Sequence, residues 1–311
     1  MNQWPEPLNY TFNKDRHKLD LKKIKKIEVF FKKKYFSKYK YAVLYPSGRA
    51  SINAILNFFK FDRSKVVNIP KWMAYCLYQS IGTITNISIN FKKADCFLIV
   101  HKWGFTTKYK KKNKLIIEDS ADSIPNDDFL NYNIKSDFEI ISLPKIIGSY
   151  SGGIVLSNNF NFFTHAKKIQ SQNLRLGKIQ SQKKYDFYFN KENNDWTHHE
   201  SSNTSFDNNV LTNIENCLKN FEINRKIIKE RQSILKEKFK KLQFDKYRLG
   251  PCAIFKKKDY KRFHKILELK HFNFKKFFLN EKYEKCFIFP IHFGISNKIF
   301  FQILKRLIKL K

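Results

Sequence analysis

The sequence predicts an α/β fold, with a large domain built on a mostly parallel β-sheet and a small α+β domain after it. Short apolar runs alternate with helical patterns from residue 41 to residue 156, which is typical of such a sheet. At 311 residues, the chain is long enough for one sizeable core and a smaller appended domain. A Ser/Asn-rich loop at residues 200–209 precedes a long amphipathic segment. We therefore place the large domain at residues 1–205 and the small domain at residues 206–311.

Seven strands and three helices are predicted in the large domain. The strands are apolar runs of four to six residues, at residues 41–44, 65–69, 84–89, 96–101, 115–118, 138–142 and 153–156. The helices are expected at residues 19–35, 49–59 and 73–81. In the second of these helices, Ile52, Ile55 and Leu56 share one face, as in a helix that packs on a core.

The C-terminal part is predicted to contain one long amphipathic helix over residues 209–242 and a closing helix after Ser296. The apolar stripe of the closing helix consists of Ile299, Ile303, Leu307 and Leu310. A basic amphipathic helix can lie on a membrane surface. Packing of the stripe on the helix's own domain is far commoner, and we expect that arrangement here.

Lysine and arginine exceed the acidic residues by a wide margin. The chain has 61 Lys+Arg against 27 Asp+Glu, which gives a formal net charge of +34. Such a balance would ordinarily suggest a nucleic-acid partner or an acidic surface. However, the basic residues are mostly Lys spread through every segment, and no zinc-finger, helix-turn-helix or RNA-binding aromatic pattern accompanies them. We therefore expect no specific nucleic-acid binding.

Five scattered cysteines indicate reduced, mostly buried thiols rather than a disulfide framework or a metal site. The first ten residues lack the pattern of a signal peptide, and no apolar run approaches membrane-spanning length. The expected location is the cytoplasm, without membrane insertion.

Three segments carry residues suited to a cofactor site. Asp119 stands at the end of the apolar run LIIED, and Lys145 follows about 25 residues later, between an apolar strand and a Gly-Gly strand. Upstream, the strand YAVLY runs into the turn Pro46-Ser47-Gly48-Arg49-Ala50 and a helix. Small residues at such a turn let a phosphate approach backbone N–H groups at the helix start. An ordinary N-capped turn is the equally favoured alternative for this segment.

In this order and spacing, the three segments resemble the DegT/DnrJ/StrS group of pyridoxal phosphate (PLP)-dependent nucleotide-sugar aminotransferases. The likeness includes LIVHKWGF, IIEDSAD and ISLPKIIGSYSGGIVLSN, and it continues more loosely to FPIHFGISNKIFFQILKRLIK. It implies the aspartate aminotransferase-like fold of PLP-dependent transferases. It also implies that Lys145 binds PLP covalently and that Asp119 pairs with the ring nitrogen.

Further site residues are implied by the same resemblance. The candidates for the phosphate are Ser47, Gly48, Arg49, Ala50 and Ser142. Either Trp72 or Ala74 occupies the position that stacks on the cofactor ring. Asn203 matches a residue that reaches the neighbouring subunit's phosphate, which implies a homodimer. His101, at a strand end, is expected to be structural.

The chain departs from the family pattern at several positions. Asp122, another cofactor-contact candidate, replaces a Gln, and Ser142 stands three rather than five residues before the lysine. Ser205 replaces an Arg, and the stretch between Gly104 and Glu118 is too short for a full crossover helix.

The leading hypothesis is an aminotransferase that carries an amino group, expected from glutamate, to a nucleotide-linked keto-sugar for polysaccharide or glycan synthesis. A PLP dehydratase or an aminotransferase for another keto substrate is a second hypothesis, although the dehydratase relatives replace the lysine with His. A noncatalytic binding or regulatory protein of the same fold is a third, suggested by Asp122.

Overall fold

The computed structural model describes residues 5, 20–35, 38–71, 73–90, 93–109, 113–132, 136–173, 208–240, 242–256 and 286–309. In chain order, the helices and strands are α1 (Leu21–Lys34), β1 (Tyr41–Tyr45), α2 (Gly48–Phe58), β2 (Val66–Asn68), α3 (Tyr75–Gly82), β3 (Asn86–Ser88), β4 (Cys96–Val100), β5 (Leu115–Asp119), β6 (Ile124–Pro125), β7 (Phe138–Ser142), α4 (Leu143–Ile147), β8 (Gly153–Ser157), α5 (Phe160–Asn173), α6 (Asn208–Lys219), α7 (Phe221–Lys238), β9 (Arg248–Leu249), β10 (Cys252–Lys256), β11 (Cys286–Pro290) and α8 (Asn297–Lys309). Short 3₁₀ turns lie at Lys102–Gly104 and Asp127–Asn131.

A seven-stranded sheet, in the order β1-β8-β7-β5-β4-β2-β3, forms the centre of the molecule. The strands β7, β5, β4, β2 and β3 run parallel to one another, and β8 is antiparallel to both of its neighbours. The prediction of an α/β fold with a mostly parallel sheet is confirmed. All seven predicted strands form, each within two residues of the expected ends.

Both faces of this sheet are buried, because alternate residues of its strands enter different apolar clusters. Ile141 and Ile154 pack with α1, α6 and the C-terminal elements. Their neighbours Ile140 and Val155 pack on the other face with α2, α3 and α5. All four side chains are at most 1 % exposed. Strands that are covered on both faces consist of continuous apolar runs, and this is why they could be predicted from the sequence.

The prediction of one long helix over residues 209–242 is wrong, because the segment forms two helices that are separated at Asn220. The backbone of Asn220 leaves the helical region, with φ −97° and ψ 7°, and its N–H donates to Cys217 three residues earlier. Asn is a poor residue for a helix interior, since its side chain competes with the backbone for hydrogen bonds. The break turns Phe221 into the core, where its ring meets Phe30 edge to face.

Two other elements differ from the sequence-based expectations. Helix α5 was not predicted. In α8, Ile303 and Leu307 are buried as expected, but Ile299 is 40 % exposed and Phe300 takes the buried position instead. Leu310 lies outside the described residues.

The C-terminal elements are tied to one another by Arg231 of α7. Its buried guanidinium donates to the carbonyl oxygens of His292 and Ile295, each at 2.6 Å, and to the side chain of Asn297 at 2.8 Å. The segment also meets the rest of the chain through β9, which pairs with β6. The division between residues 205 and 206 stays a prediction.

Within the described ranges, no helix is long and apolar enough to cross a membrane. The described residues also contain no cluster of His, Cys, Asp and Glu that could hold a metal ion. Cys96, Cys217 and Cys252 are buried, as the sequence predicted.

Candidate active site

The candidate site lies at the carboxyl ends of three neighbouring parallel strands, β4, β5 and β7. Lys102 follows β4, Asp119 ends β5, and Lys145 lies in the helix that begins after β7. In open α/β sheets, the crevice beyond the carboxyl ends of the strands is where ligands bind. The topology therefore brings residues from distant parts of the sequence to one edge of the sheet.

Lys145 is placed by the short helix α4. Pro144 occupies the first turn of this helix, and Gly148 ends it in a left-handed conformation with φ 70°. The Lys145 Nζ donates a hydrogen bond to Asp122 Oδ1 at 2.8 Å. Its side chain remains 29 % exposed, so the amine stands at the edge of the interior rather than sealed within it.

Asp119 is a buried carboxylate, 3 % exposed, at the end of β5. Its Oδ1 accepts a hydrogen bond from the N–H of Ala121 at 2.9 Å. Burial raises the pKa of Asp119, and the nearby charge of Lys145 counteracts this only in part. A positively charged ligand group beside Asp119 would therefore be favoured, because it would hold the carboxylate in its ionised form.

Asp122 lies between two lysine amines. Its Oδ2 is 3.2 Å from Lys102 Nζ, while its Oδ1 accepts from Lys145. Burial alone would raise the pKa of Asp122, but the charges of Lys102 and Lys145 hold that pKa well below its usual range. For Lys145, burial alone would lower the pKa, but Asp122 and Asp119 raise it above the ordinary value of a lysine.

These side chains line a small cleft. The lining also includes Met73, Ala74 and Leu77 from the α3 region, together with Val100, His101, Lys102 and Ala121. Its accessible interior is about 20 Å³, room for roughly one water molecule. A ligand larger than a water molecule therefore needs the cleft to widen.

The predicted phosphate turn lies beside Ser142. Ser47 caps α2 by accepting the N–H of Ala50 at 3.1 Å. A Cβ added to Gly48 would lie 3.6 Å from the Cβ of Ser142, so the turn and the end of β7 are in contact. The backbone of the turn also touches Gly153, where any side chain would come within 2.4 Å of Ser47 carbonyl atoms.

Arg49 and Ala50 belong to the first turn of α2; Arg49 is half-buried and Ala50 is buried. Trp72 and Asn203, and likewise Ser205, lie outside the described residues. Ala74, the alternative to Trp72, lines the cleft.

His101 is fully buried and is bonded within the protein. Its Nδ1 accepts the N–H of Thr107 at 3.0 Å, and its Nε2 lies 3.4 Å from Glu118 Oε1. These contacts fit the structural role expected for His101.

Lys102 is the site residue that the sequence analysis did not identify. A lysine in a loop is most often solvated, and here it is one of many. A positional signal was nevertheless available, since Lys102 directly follows the residue that ends a predicted strand, at the edge that also carries Asp119.

The donor set fits PLP. A lysine amine for covalent attachment, a buried carboxylate for the ring nitrogen, and a small-residue turn at a helix start for the phosphate are the groups that this cofactor needs. The fold and the site thus define a PLP-binding protein of the aspartate aminotransferase-like type.

The sequence family agrees with this definition. The family described as "Putative PLP-dependent aminotransferase" matches residues 27–310. The chain belongs to this family; it is a PLP-dependent aminotransferase, and PLP is its cofactor. No curated protein is significantly similar to the chain in sequence.

Solved structures show the same fold at very low sequence identity. A DegT DnrJ EryC1 StrS aminotransferase from Brucella abortus has a TM-score of 0.70 at 11% identity, over 94% of this chain and 91% of that one. The aminotransferase TlmJ from Streptoalloteichus hindustanus has a TM-score of 0.65 at 10% identity, over 99% and 92%. The "Putative sugar aminotransferase Spr1654" from Streptococcus pneumoniae, in its PMP-form, has a TM-score of 0.64 at 9% identity, over 99% and 92%.

Proposed function

We propose that Lys145 is the residue that binds PLP covalently. The observation that carries this proposal is the position of its amine, in one cleft with Asp119 and 2.8 Å from Asp122. In its neutral form, the Lys145 amine would hold PLP covalently and would move a proton at the substrate carbon. Bound PLP supplies an electron-accepting ring for the breaking of a substrate C–H bond.

Asp119 is proposed to pair with the nitrogen of the cofactor ring. The carboxylate is buried beside Lys145, and the charges of Lys145 and Lys102 and the Ala121 N–H offset the effect of burial on its pKa only in part. A protonated ring nitrogen would lower the raised pKa of Asp119, and the ionised carboxylate would in turn keep that nitrogen protonated.

The phosphate is proposed to lie at the start of α2. Ser47, Gly48, Arg49 and Ala50 offer a hydroxyl, backbone N–H groups and a guanidinium there, and Ser142 lies alongside. The positive end of the 11-residue helix favours an anion at this position.

The remaining roles are proposed from the family resemblance. Asp122 would contact the cofactor at the position where the family has a Gln, and Trp72 or Ala74 would lie against the ring. Asn203 would complete the phosphate site of the partner subunit in a homodimer. The cytoplasm is the proposed location.

The proposed reaction moves an amino group, from glutamate, to a keto-sugar attached to a nucleotide, in the synthesis of a surface polysaccharide or another glycan. The Streptococcus pneumoniae protein of the same fold is described as a putative sugar aminotransferase, which supports the sugar class.

Borohydride trapping tests the role of Lys145. When the purified protein is incubated with PLP and then reduced with borohydride, the pyridoxyl label should appear on the peptide that contains Lys145. The variant Lys145→Ala should lose this label completely. The unfolding free energy should change by no more than about 2 kcal/mol, because the lysine is partly exposed. Lys65→Ala, at a surface pair with Asp95, serves as the control that keeps the label. Labelling of Lys145→Ala at wild-type yield would refute the assignment.

The substrate is tested on the same preparation. With glutamate present, a nucleotide-linked keto-sugar should be converted to the amino-sugar faster than the free sugar or a simple keto acid. Equal turnover of all three acceptors would argue against the nucleotide-sugar class and leave the lysine assignment unaffected.

A further inference from the structure

One carboxylate in the cleft serves two amines. Asp122 Oδ1 accepts from Lys145 Nζ at 2.8 Å, and Asp122 Oδ2 lies 3.2 Å from Lys102 Nζ. The Asp122 side chain is 4 % exposed, whereas Lys102 and Lys145 are 18 % and 29 % exposed. One buried carboxylate is therefore shared by two amines.

Lys102 is held in this position by the backbone of its turn. Trp103 and Gly104 adopt left-handed conformations, with φ 49° and φ 83°. Gly250 packs directly on the turn, so closely that a Cβ there would lie 1.8 Å from the Trp103 carbonyl oxygen. The Lys102 Nζ also lies 5.2 Å from the centre of the Trp103 ring. Because of these contacts, Lys102 is not simply a lysine that extends from a loop into water.

The second lysine changes the electrostatics of the first. If Asp122 faced Lys145 alone, its full attraction would favour the protonated amine, which cannot attack an aldehyde. Lys102 engages the other oxygen of the carboxylate and offsets part of its attraction for the Lys145 ammonium. This weaker attraction favours loss of the proton from Lys145.

We propose that Lys102 is a positioning residue of the active site, which shares Asp122 with Lys145 and thereby makes the Lys145 amine easier to deprotonate. The inference rests on the proposed role of Lys145 as the cofactor lysine. Lys102 acts through Asp122. A neutral side chain in place of Lys102 should therefore make the Lys145 amine harder to deprotonate, and a neutral side chain in place of Asp122 should make it easier to deprotonate.

Other titratable groups face Lys145 from the surrounding elements. Asp119 of β5 and Cys76 of α3 both favour the protonated lysine, and His101 at the end of β4 lines the same cleft. These groups are unchanged in the variants below, so the differences between variants report on Lys102 and Asp122.

The test measures the reactivity of Lys145 in the full chain without added cofactor. Trace acetylation with acetic anhydride at pH 8, followed by mass spectrometry, gives the rate at Lys145 relative to Lys226, whose side chain is 78 % exposed. Only the neutral amine reacts, so a pKa rise of one unit slows labelling about tenfold. We expect Lys102→Met to slow labelling of Lys145 about three- to tenfold, and Asp122→Asn to accelerate it roughly tenfold.

A double-mutant cycle shows whether Lys102 acts through Asp122. The effect of Lys102→Met should shrink to about twofold or less in the Asp122→Asn background, because the shared carboxylate is gone. Lys102→Arg keeps the charge and should label within about twofold of the wild type. Lys65→Met removes a lysine from a surface pair and should change nothing.

Equal labelling of Lys145 in the wild type and in Lys102→Met would overturn the proposal. An effect of the same size in the Asp122→Asn background would also overturn it, since Lys102 would then act without Asp122. Lys102→Gln provides a second neutral variant if Lys102→Met does not fold. The acetylation readout needs no cofactor. If Lys102→Met slows acetylation as expected but borohydride does not trap PLP on Lys145, only the proposed function is refuted. If PLP is trapped on Lys145 but Lys102→Met leaves acetylation unchanged, only this inference is refuted.

Discussion

Neighbouring carboxylates at the end of β5 enter two different environments. Asp119 faces the cleft with the lysines, whereas Glu118 faces a sealed cluster on the other side of the strand, as alternation along a strand requires. Glu118 Oε1 accepts from the hydroxyls of Tyr109 and Tyr132, at 2.8 and 2.9 Å. Arg248 approaches the same carboxylate to 3.7 Å.

The two clusters differ in the type of cation and in exposure. Arg248 donates to Glu139 at 2.7 Å and to Ser120 at 2.8 Å. These three residues and Glu118 are fully buried, whereas Tyr109 and Tyr132 are half-buried. An arginine does not lose its proton in a protein, whereas a lysine amine can. The sealed cluster therefore has fixed charges suited to holding the fold together, while the lysine cluster can change its protonation, as chemistry requires.

Removal of Arg248 should have the largest effect on stability. Arg248→Met leaves Glu118 and Glu139 buried without their shared cation, and we expect a loss of about 3–5 kcal/mol in the free energy of unfolding. Urea titration measures it. The control is Lys226→Met, whose side chain and partner Glu230 are 78 % and 59 % exposed, and which should cost about 1 kcal/mol or less. Similar losses for the two variants would remove the distinction between a sealed cluster and a surface pair.

The second-largest expected effect is a loss of folding stability in acid, through protonation of Glu118 in the sealed cluster. Burial alone would raise the pKa of Glu118, but His101, Arg248 and Tyr109 lower it to about 2 from an ordinary 4.5. A lowered pKa stabilises the folded state above about pH 4.5, and this contribution, about 3 kcal/mol, is lost as the pH falls toward 2. The Asp119 pKa is shifted upward, so Asp119 opposes this trend.

The variant Glu118→Gln isolates this contribution. Its unfolding free energy should depend less steeply on pH between 4.5 and 2 than that of the wild type, as measured by urea titrations at several pH values. Parallel curves for the two proteins would show that Glu118 does not carry the acid sensitivity.

The smallest predicted effect concerns the contact between the two regions. Gly250 lies two residues after Arg248 and packs on the turn that carries Lys102. A Cβ at Gly250 would meet backbone atoms at 1.8–2.8 Å. Gly250→Ala should therefore lower the free energy of unfolding by about 1–3 kcal/mol, as measured by thermal unfolding, and should alter the acetylation rate of Lys145. Gly82→Ala, where the nearest atom would lie 3.6 Å away, should cost nothing measurable. Equal melting temperatures for both variants would mean that the turn at residues 102–104 can move to accommodate the added methyl group without loss of stability.

The sequence predicted the strands well because the central sheet is covered on both faces, so each strand is a continuous apolar run. It also identified Asp119, Asp122 and Lys145, which the structure places in one cleft. These residues follow predicted strands and match a family pattern, so position and chemistry pointed to the same segments. Their roles toward the cofactor stay proposals.

The sealed cluster could not be predicted, because its members are far apart in the sequence. Glu118, Glu139 and Arg248 belong to residue types that usually lie on the surface, and only the fold brings them together. Lys102 was missed for a similar reason. The helix break at Asn220 was missed because the apolar pattern continues across it, and the single residue that interrupts the hydrogen bonds carries a weak signal.

The contribution of residues 248–250 also bears on the order in which the protein folds. Strand β9 supplies the arginine of the sealed cluster, and the following glycine supports the turn after β4, about 150 residues earlier. Contacts of such long sequence separation form late, because the entropy of closing a long loop must be overcome first. During synthesis, the strands that carry Lys102, Asp119 and Lys145 leave the ribosome well before these partners. A nascent chain that ends at α7 therefore has the proposed cofactor residues but neither of these two supports. We expect competence to bind PLP to arise only after β9 has been translated and paired with β6.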